Sequence, residues 1–131
     1  MLSLSPRVRI FAAVEPVDFR KGLDRLVQVV RDEFGEDPFA GNLFCFFSRR
    51  RDRVKVLVWD RNGFWLHCKR LERGTFERLA GRGAKVEIER AQMSMLLEGI
   101  DTKFSRFRRH FSRDVRISVR DTDRERERVS Q

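Results

Sequence analysis

Soft metal ligands are scarce in this chain. Its 131 residues include only two cysteines, Cys45 and Cys68, and two histidines, His67 and His110. The cysteines form no C-x-x-C pair, and the four residues are too scattered for a recognisable zinc spacing. His67 and Cys68 are adjacent, but neighbours on a strand point to opposite faces. Both cysteines are therefore read as small apolar core filler. The same scarcity removes a Ser-His-Asp set and a Cys-His nucleophile, and no phosphate-cradling G-x-x-x-x-G-K-[ST] loop occurs. No apolar run approaches bilayer length, and the N-terminus lacks the basic start and long apolar centre of a signal peptide. The expectation is a cytoplasmic bacterial protein with no cofactor, no metal, no membrane contact and no small-molecule substrate.

Lysine is scarce too, at positions 21, 55, 69, 85 and 103 alone. Arginine thus supplies most of the 29 Lys+Arg, set against 20 Asp+Glu for a formal net charge of +9. A guanidinium engages phosphate with two parallel hydrogen bonds and stacks on planar rings, whereas an ammonium acts as a point charge. An arginine excess points to nucleic acid, although the codons of a high-GC genome produce the same bias.

The length fits one domain. Val8 to Val14 reads as a first strand, ended by Glu15-Pro16. Leu23, Leu26, Val27 and Val30 then recur at helical spacing, with Phe34 one turn on and Gly35 as the stop. Asp18 is a candidate cap, with Gly22 blurring the start. Leu43 to Phe47 is a continuous apolar run that suits a buried strand, and Val54 to Trp59 is another. Asp60-Arg61-Asn62-Gly63 is a hairpin turn, with Asn-Gly supplying the positive φ angles that tight turns need. Phe64 to Arg70 returns, which completes an antiparallel meander. Lys85 to Glu89 alternates like an edge strand, and Ala91 to Leu97 is a short helix stopped by Gly99. The layout shows no βαβ alternation, so an α+β fold is expected, with about five mainly antiparallel strands, one longer helix and one short one.

After Asp101 the character changes. Phe104, Phe107 and Phe111 fall among arginines as on an amphipathic basic helix, and Val115, Ile117 and Val119 alternate as on a strand. The segment from Arg120 to Gln131 is nearly all charge and is expected to be disordered or a solvated helix. The division is accordingly 1–101 for the domain and 102–131 for a basic, charge-rich extension.

Several long motifs carry a family resemblance: VDFRKG (Val17 to Gly22), DPFAGNLFCF (Asp37 to Phe46), RRRDRVKVLVWD (Arg49 to Asp60), KRLERGTF (Lys69 to Phe76) and LLEGID (Leu96 to Asp101). In order and content they resemble the TnpB, or Orf2-like, proteins of bacterial insertion sequences of the insertion sequence 66 family. Phe19 stands where that family usually has Met, Cys68 where an aromatic is usual, and the Trp-Pro pair common after KRLERG is absent. The resemblance implies a non-catalytic companion of a larger transposase, acting in DNA transposition. It implies none of the RNA-guided nuclease chemistry of other proteins called TnpB, whose nuclease carboxylates and zinc cysteines are missing here.

For binding, the residues divide by motif. Arg20 and Lys21 precede a helix start, whose N–H groups add to their pull on phosphate. Arg49, Arg50, Arg53 and Lys55 flank one hairpin loop, and Lys69, Arg70 and Arg73 leave the next strand. In a three-strand meander these last two groups meet at one rim, with room for roughly five to seven phosphate contacts. Trp59, Phe64 and Trp65 are candidates for stacking on unpaired bases, with Trp59 the most inclined to packing and Trp65 the most exposed. The expected partners are insertion-sequence DNA ends and the element's transposase, with nucleoid association when DNA is bound. The competing reading is a module that docks to the transposase without DNA, through the stripe Met93, Leu96, Leu97 and Ile100. A metal-dependent nuclease built on Asp18, Asp60, Glu72 and Asp101 is a third reading. Each of those carboxylates has a cheaper role in a cap, a turn or a local ion pair.

Overall fold

The computed structural model describes residues 5–99. The expectations for the basic helix, the strand and the charged end beyond Asp101 lie outside the described residues. Among the described residues five strands and two helices follow in the order β1 (Ile10–Ala13), α1 (Leu23–Asp32), β2 (Leu43–Phe47), β3 (Arg53–Asp60), β4 (Gly63–Arg70), β5 (Lys85–Ile88) and α2 (Arg90–Leu97). They form one sheet in the order β4-β3-β2-β1-β5. The α+β architecture, the meander and the edge strand at Lys85 are as the sequence indicated.

The sheet is mixed rather than purely antiparallel. β1 and β2 run parallel, with Ile10 opposite Leu43 and Ala12 opposite Cys45, and α1 makes the crossover. One βαβ unit therefore exists where the sequence suggested none. A single unit leaves no repeating alternation to read, and parallel neighbours are decided by pairing across the sheet.

Each sheet face carries its own core. On one face Leu26, Val29 and Val30 of α1 pack with Phe34 against Phe11, Phe44, Phe46 and Leu57. Phe11 stacks on Phe44 at 5.7 Å between centroids and Phe34 on Phe46 at 5.6 Å. The opposite face packs Met93 and Leu96 of α2, with Phe76 and Leu79 from the 71–84 segment, on Ile10, Cys45, Phe47 and Val54. Covered on both faces, β2 is buried at every position, which is why LFCFF shows no polar alternation. Fully burying one such Phe contributes about 1.5–3 kcal/mol. Cys45 fits the filler reading, its thiol pushed up to about 12 by burial. Cys68 does not: it is exposed on β4, because the α1 core ends before that strand does.

Helix ends follow local chemistry with one correction. α1 stops at Gly35, whose φ of +66° lets the Glu36 N–H donate to the Val30 carbonyl at 3.0 Å. Its N-cap is Gly22, with no side-chain cap. Asp18 lies too far upstream and instead accepts from the Arg20 N–H at 3.0 Å and from the Arg20 guanidinium. The hairpin turn also differs in detail. The positive φ falls on Arg61 (+57°), while Gly63 already belongs to β4 opposite Asp60.

Candidate nucleic-acid interface

Because β1 and β2 are parallel, the loops that leave them emerge at one end of the sheet. The antiparallel register returns two more elements there: β3 begins beside the end of β4, with Arg53 opposite Arg70 and Val54 opposite Lys69. Two backbone bonds bind the loops together. The Val17 N–H donates to the Phe47 carbonyl at 3.0 Å, and the Leu71 N–H to the Asp52 carbonyl at 2.8 Å. Segments 14–22, 48–55 and 69–73 thereby share one end of the sheet, bringing together nine of the ten candidate residues. An open groove of about 470 Å³ lies among them, lined by Phe19, Arg53, Val54, Lys55, Cys68, Lys69 and Arg70.

The cations there fall into three groups. Lys21, Arg49, Arg50, Arg53 and Arg73 are exposed, and among the described residues no acidic side chain pairs with them. Arg20 and Arg70 are exposed but paired, Arg20 with Asp18 at 3.0 Å and Arg70 with Glu72 at 3.3 Å. The Arg20 contact holds the Asp18 carboxyl down at about 2. Exposed pairs of this kind are weak and open readily to a phosphate. Lys55, half-buried, and Lys69, exposed, each bond to a backbone carbonyl. Lys55 Nζ donates to the Phe19 carbonyl at 3.1 Å and sits over the Phe19 ring, so it fixes the 14–22 loop. Lys69 Nζ donates to the Leu97 carbonyl at 2.7 Å, at the negative end of α2.

Arg51 is the residue that sequence reasoning missed. It belongs to the run Arg49-Arg50-Arg51, yet it is only 4% exposed. Its φ of +60° turns it inward from the loop. There its guanidinium lies 4.4 Å from the centre of the Phe47 ring. Nε donates to the Phe76 carbonyl at 3.2 Å and Nη2 to the Glu77 carbonyl, while the Phe76 N–H returns a bond to the Arg51 carbonyl at 2.6 Å. This side chain ties the 48–52 loop to the 71–84 segment. Burial, with the neighbouring charge of Arg78, lowers its pKa. Arg78, exposed and close enough for its charge to act on Arg51, is another cation that the motifs did not single out. The signal that separates Arg51 from its neighbours is tertiary, since only folding places two carbonyls and a ring around one of three identical side chains.

The remaining candidates lie elsewhere. Trp65 is 55% exposed at the far end of the β3–β4 hairpin, not at the basic end. Trp59 and Phe64 pack with Phe39 in a cluster of edge-on and tilted rings, at 5.0 to 5.5 Å between centroids. Trp59 and Phe64 are thus structural. Met93 and Leu96 are buried against the sheet and Leu97 packs beside them, so those positions are core rather than a docking stripe. Ile100 lies outside the described residues. The carboxylates do not gather: Asp18 pairs with Arg20, Glu72 with Arg70, and Asp60 accepts from Trp65 Nε1 at the opposite end of β3. Asp101 is outside the described residues. Among the described residues no group of three or more His, Cys, Asp or Glu side chains is placed to hold a metal ion, and no helix is long and apolar enough to cross a membrane.

The described residues thus form an α+β domain on a small mixed sheet with one cationic end, and Asp18, Asp60 and Glu72 are each held by a local partner. Comparison with known proteins makes the assignment more specific. Residues 8–106 match the family model of the IS66 Orf2-like proteins, so the chain belongs to that transposition-associated family. It is 35% identical over 101 residues to the uncharacterized protein y4jC of Sinorhizobium fredii (strain NBRC 101917 / NGR234), which covers 77% of this chain and 86% of that protein. It is 38% identical over 101 residues to the uncharacterized protein y4hO of the same strain, covering 77% and 88%. No solved structure matches it.

Proposed function

We propose that this protein is a non-catalytic accessory of insertion-sequence transposition that holds element DNA by its phosphates and assists a separate transposase. The observation that carries the reading is the set Lys21, Arg49, Arg50, Arg53 and Arg73. These five exposed cations come from three chain segments that share one end of the sheet. Arg20 and Arg70 join them when phosphate displaces Asp18 and Glu72. Phosphate contacts position a duplex without reading its sequence, so this surface supplies grip and orientation. Lys55, Lys69 and Arg51 support it from behind by holding the loops in place.

The test is a salt titration of binding to a labelled duplex carrying an element end. Roughly five to seven contacts give a steep fall of log K with log salt, about −0.9 per contact. A flat response, or unchanged retention after Arg49, Arg50 and Arg53 are all replaced by Ala, removes the DNA reading and favours docking to the transposase.

A further inference from the structure

The far end of the same hairpin carries an aromatic feature that phosphate binding does not use. β4 is an edge strand, and its residues Gly63, Trp65, His67 and Lys69 share one face by alternation. The Trp65 ring stacks on the His67 ring at 5.8 Å and 18° between planes. Trp65 Nε1 donates to Asp60 Oδ2 at 3.1 Å, which fixes the indole although it is 55% exposed. On its other side the strand offers Gly63, and a Cβ built there meets nothing within 4 Å. An immobilised, solvent-facing indole thus stands beside an open space floored by a residue without a side chain. Arg61, exposed in the turn, adds a positive charge at this end, and Lys69 and Arg70 continue the charge towards the basic rim.

We infer that this slot takes an unpaired nucleobase, so that the preferred ligand is single-stranded DNA laid along β4 from the rim to the turn. The inference rests on the phosphate-binding reading and names its substrate class. The eight residues of β4 span roughly 24 Å, enough for several nucleotides of an extended strand. A strand laid this way runs from the exposed Arg61 in the turn, past Trp65, to the exposed cations of the rim. A duplex keeps its bases inside and leaves the slot empty. An exposed tryptophan held by a hydrogen bond gives a stacking base a ready surface with little ordering cost.

The experiment uses the full chain and three labelled probes of equal length: a mixed-sequence single strand, its duplex, and an abasic sugar–phosphate strand. At one salt concentration the wild type binds the single strand about tenfold tighter than the abasic strand. Trp65→Leu brings that ratio to about one and leaves duplex and abasic binding unchanged. Gly63→Leu has the same effect by filling the slot with Trp65 still present. Its backbone is not in the left-handed region, so the fold tolerates the change. In a Trp59→Phe background, Trp65 fluorescence is quenched by the single strand and not by the abasic strand. A wild-type ratio near one, or a ratio that survives both substitutions, overturns the slot. Duplex held without base discrimination removes the slot and leaves the rim standing. Failure to hold any probe removes both.

Discussion

The two ends of the β3–β4 hairpin are made of different materials and are held in different ways. At one end the 48–52 loop is held by backbone bonds and by one buried cation, Arg51, and among the described residues no acidic side chain pairs with its exposed neighbours Arg49, Arg50 and Arg53. At the other end a turn of two residues is braced by rings: Trp59 and Phe64 contact Phe39 on one face, and Trp65 bonds to Asp60 on the other. The comparison shows that residues of one type do not share one role. Of three consecutive arginines the middle one is a structural strut, and of two tryptophans one is a brace and the other an open surface.

The largest effect tests the strut. Arg51→Ala orphans the Phe76 and Glu77 carbonyls and opens space over Phe47, and is expected to destabilise the fold by about 3 kcal/mol. A urea midpoint close to that of the wild type would show that the two ends are not held differently. Next, Trp59→Ala removes two ring contacts from a half-buried site and is expected to cost about 2 kcal/mol, whereas Trp65→Leu leaves the midpoint within about 0.5 kcal/mol. If the two tryptophans respond equally, the distinction between brace and surface fails.

The triple replacement of Arg49, Arg50 and Arg53 by Ala sharpens the contrast with Arg51. Each change is expected to shift stability by no more than about 0.5 kcal/mol, while the salt slope of DNA binding falls by roughly three times 0.9. A large loss of stability would place these side chains in the fold rather than on its surface. The smallest effect concerns Asp18. Its carboxyl is held at about 2 against a usual 3.8, chiefly by the side-chain hydrogen bond from Arg20. A depressed folded-state value stabilises above the unfolded value, and the contribution is lost as pH falls from about 4 to about 2. Asp18→Asn should flatten stability over that window, followed by circular dichroism, and should slightly raise DNA affinity by releasing Arg20. An unchanged acid limb would mean the pair does not form in solution.

Much of this was legible beforehand because local patterns dominate. Leu23, Leu26, Val27 and Val30 at helical spacing, the unbroken LFCFF run and the Gly35 and Gly99 stops all report short-range chemistry, and the elements followed them within three residues, although the buried side of α1 proved to be Leu26, Val29 and Val30. The meander likewise brought Arg53 and Arg70 together, since antiparallel strands joined by a short turn have little choice of register. What escaped was non-local. The parallel pairing of β1 with β2 depends on how α1 packs, and the exposure of Cys68 depends on how far that helix reaches across the sheet. Equally non-local are the bonds of Lys55 to the Phe19 carbonyl and of Lys69 to the Leu97 carbonyl, between residues 36 and 28 positions apart.

From residue order alone came the family, the number and kind of elements, and the location of positive charge along the chain, because periodicity, turn chemistry and motif order are written in neighbouring positions. Folding alone decided which cations face water and which bond inward, and which aromatic ring is left open. Those outcomes depend on atoms brought from dozens of residues away, and a guanidinium or an indole takes its role from the oxygens and rings that surround it.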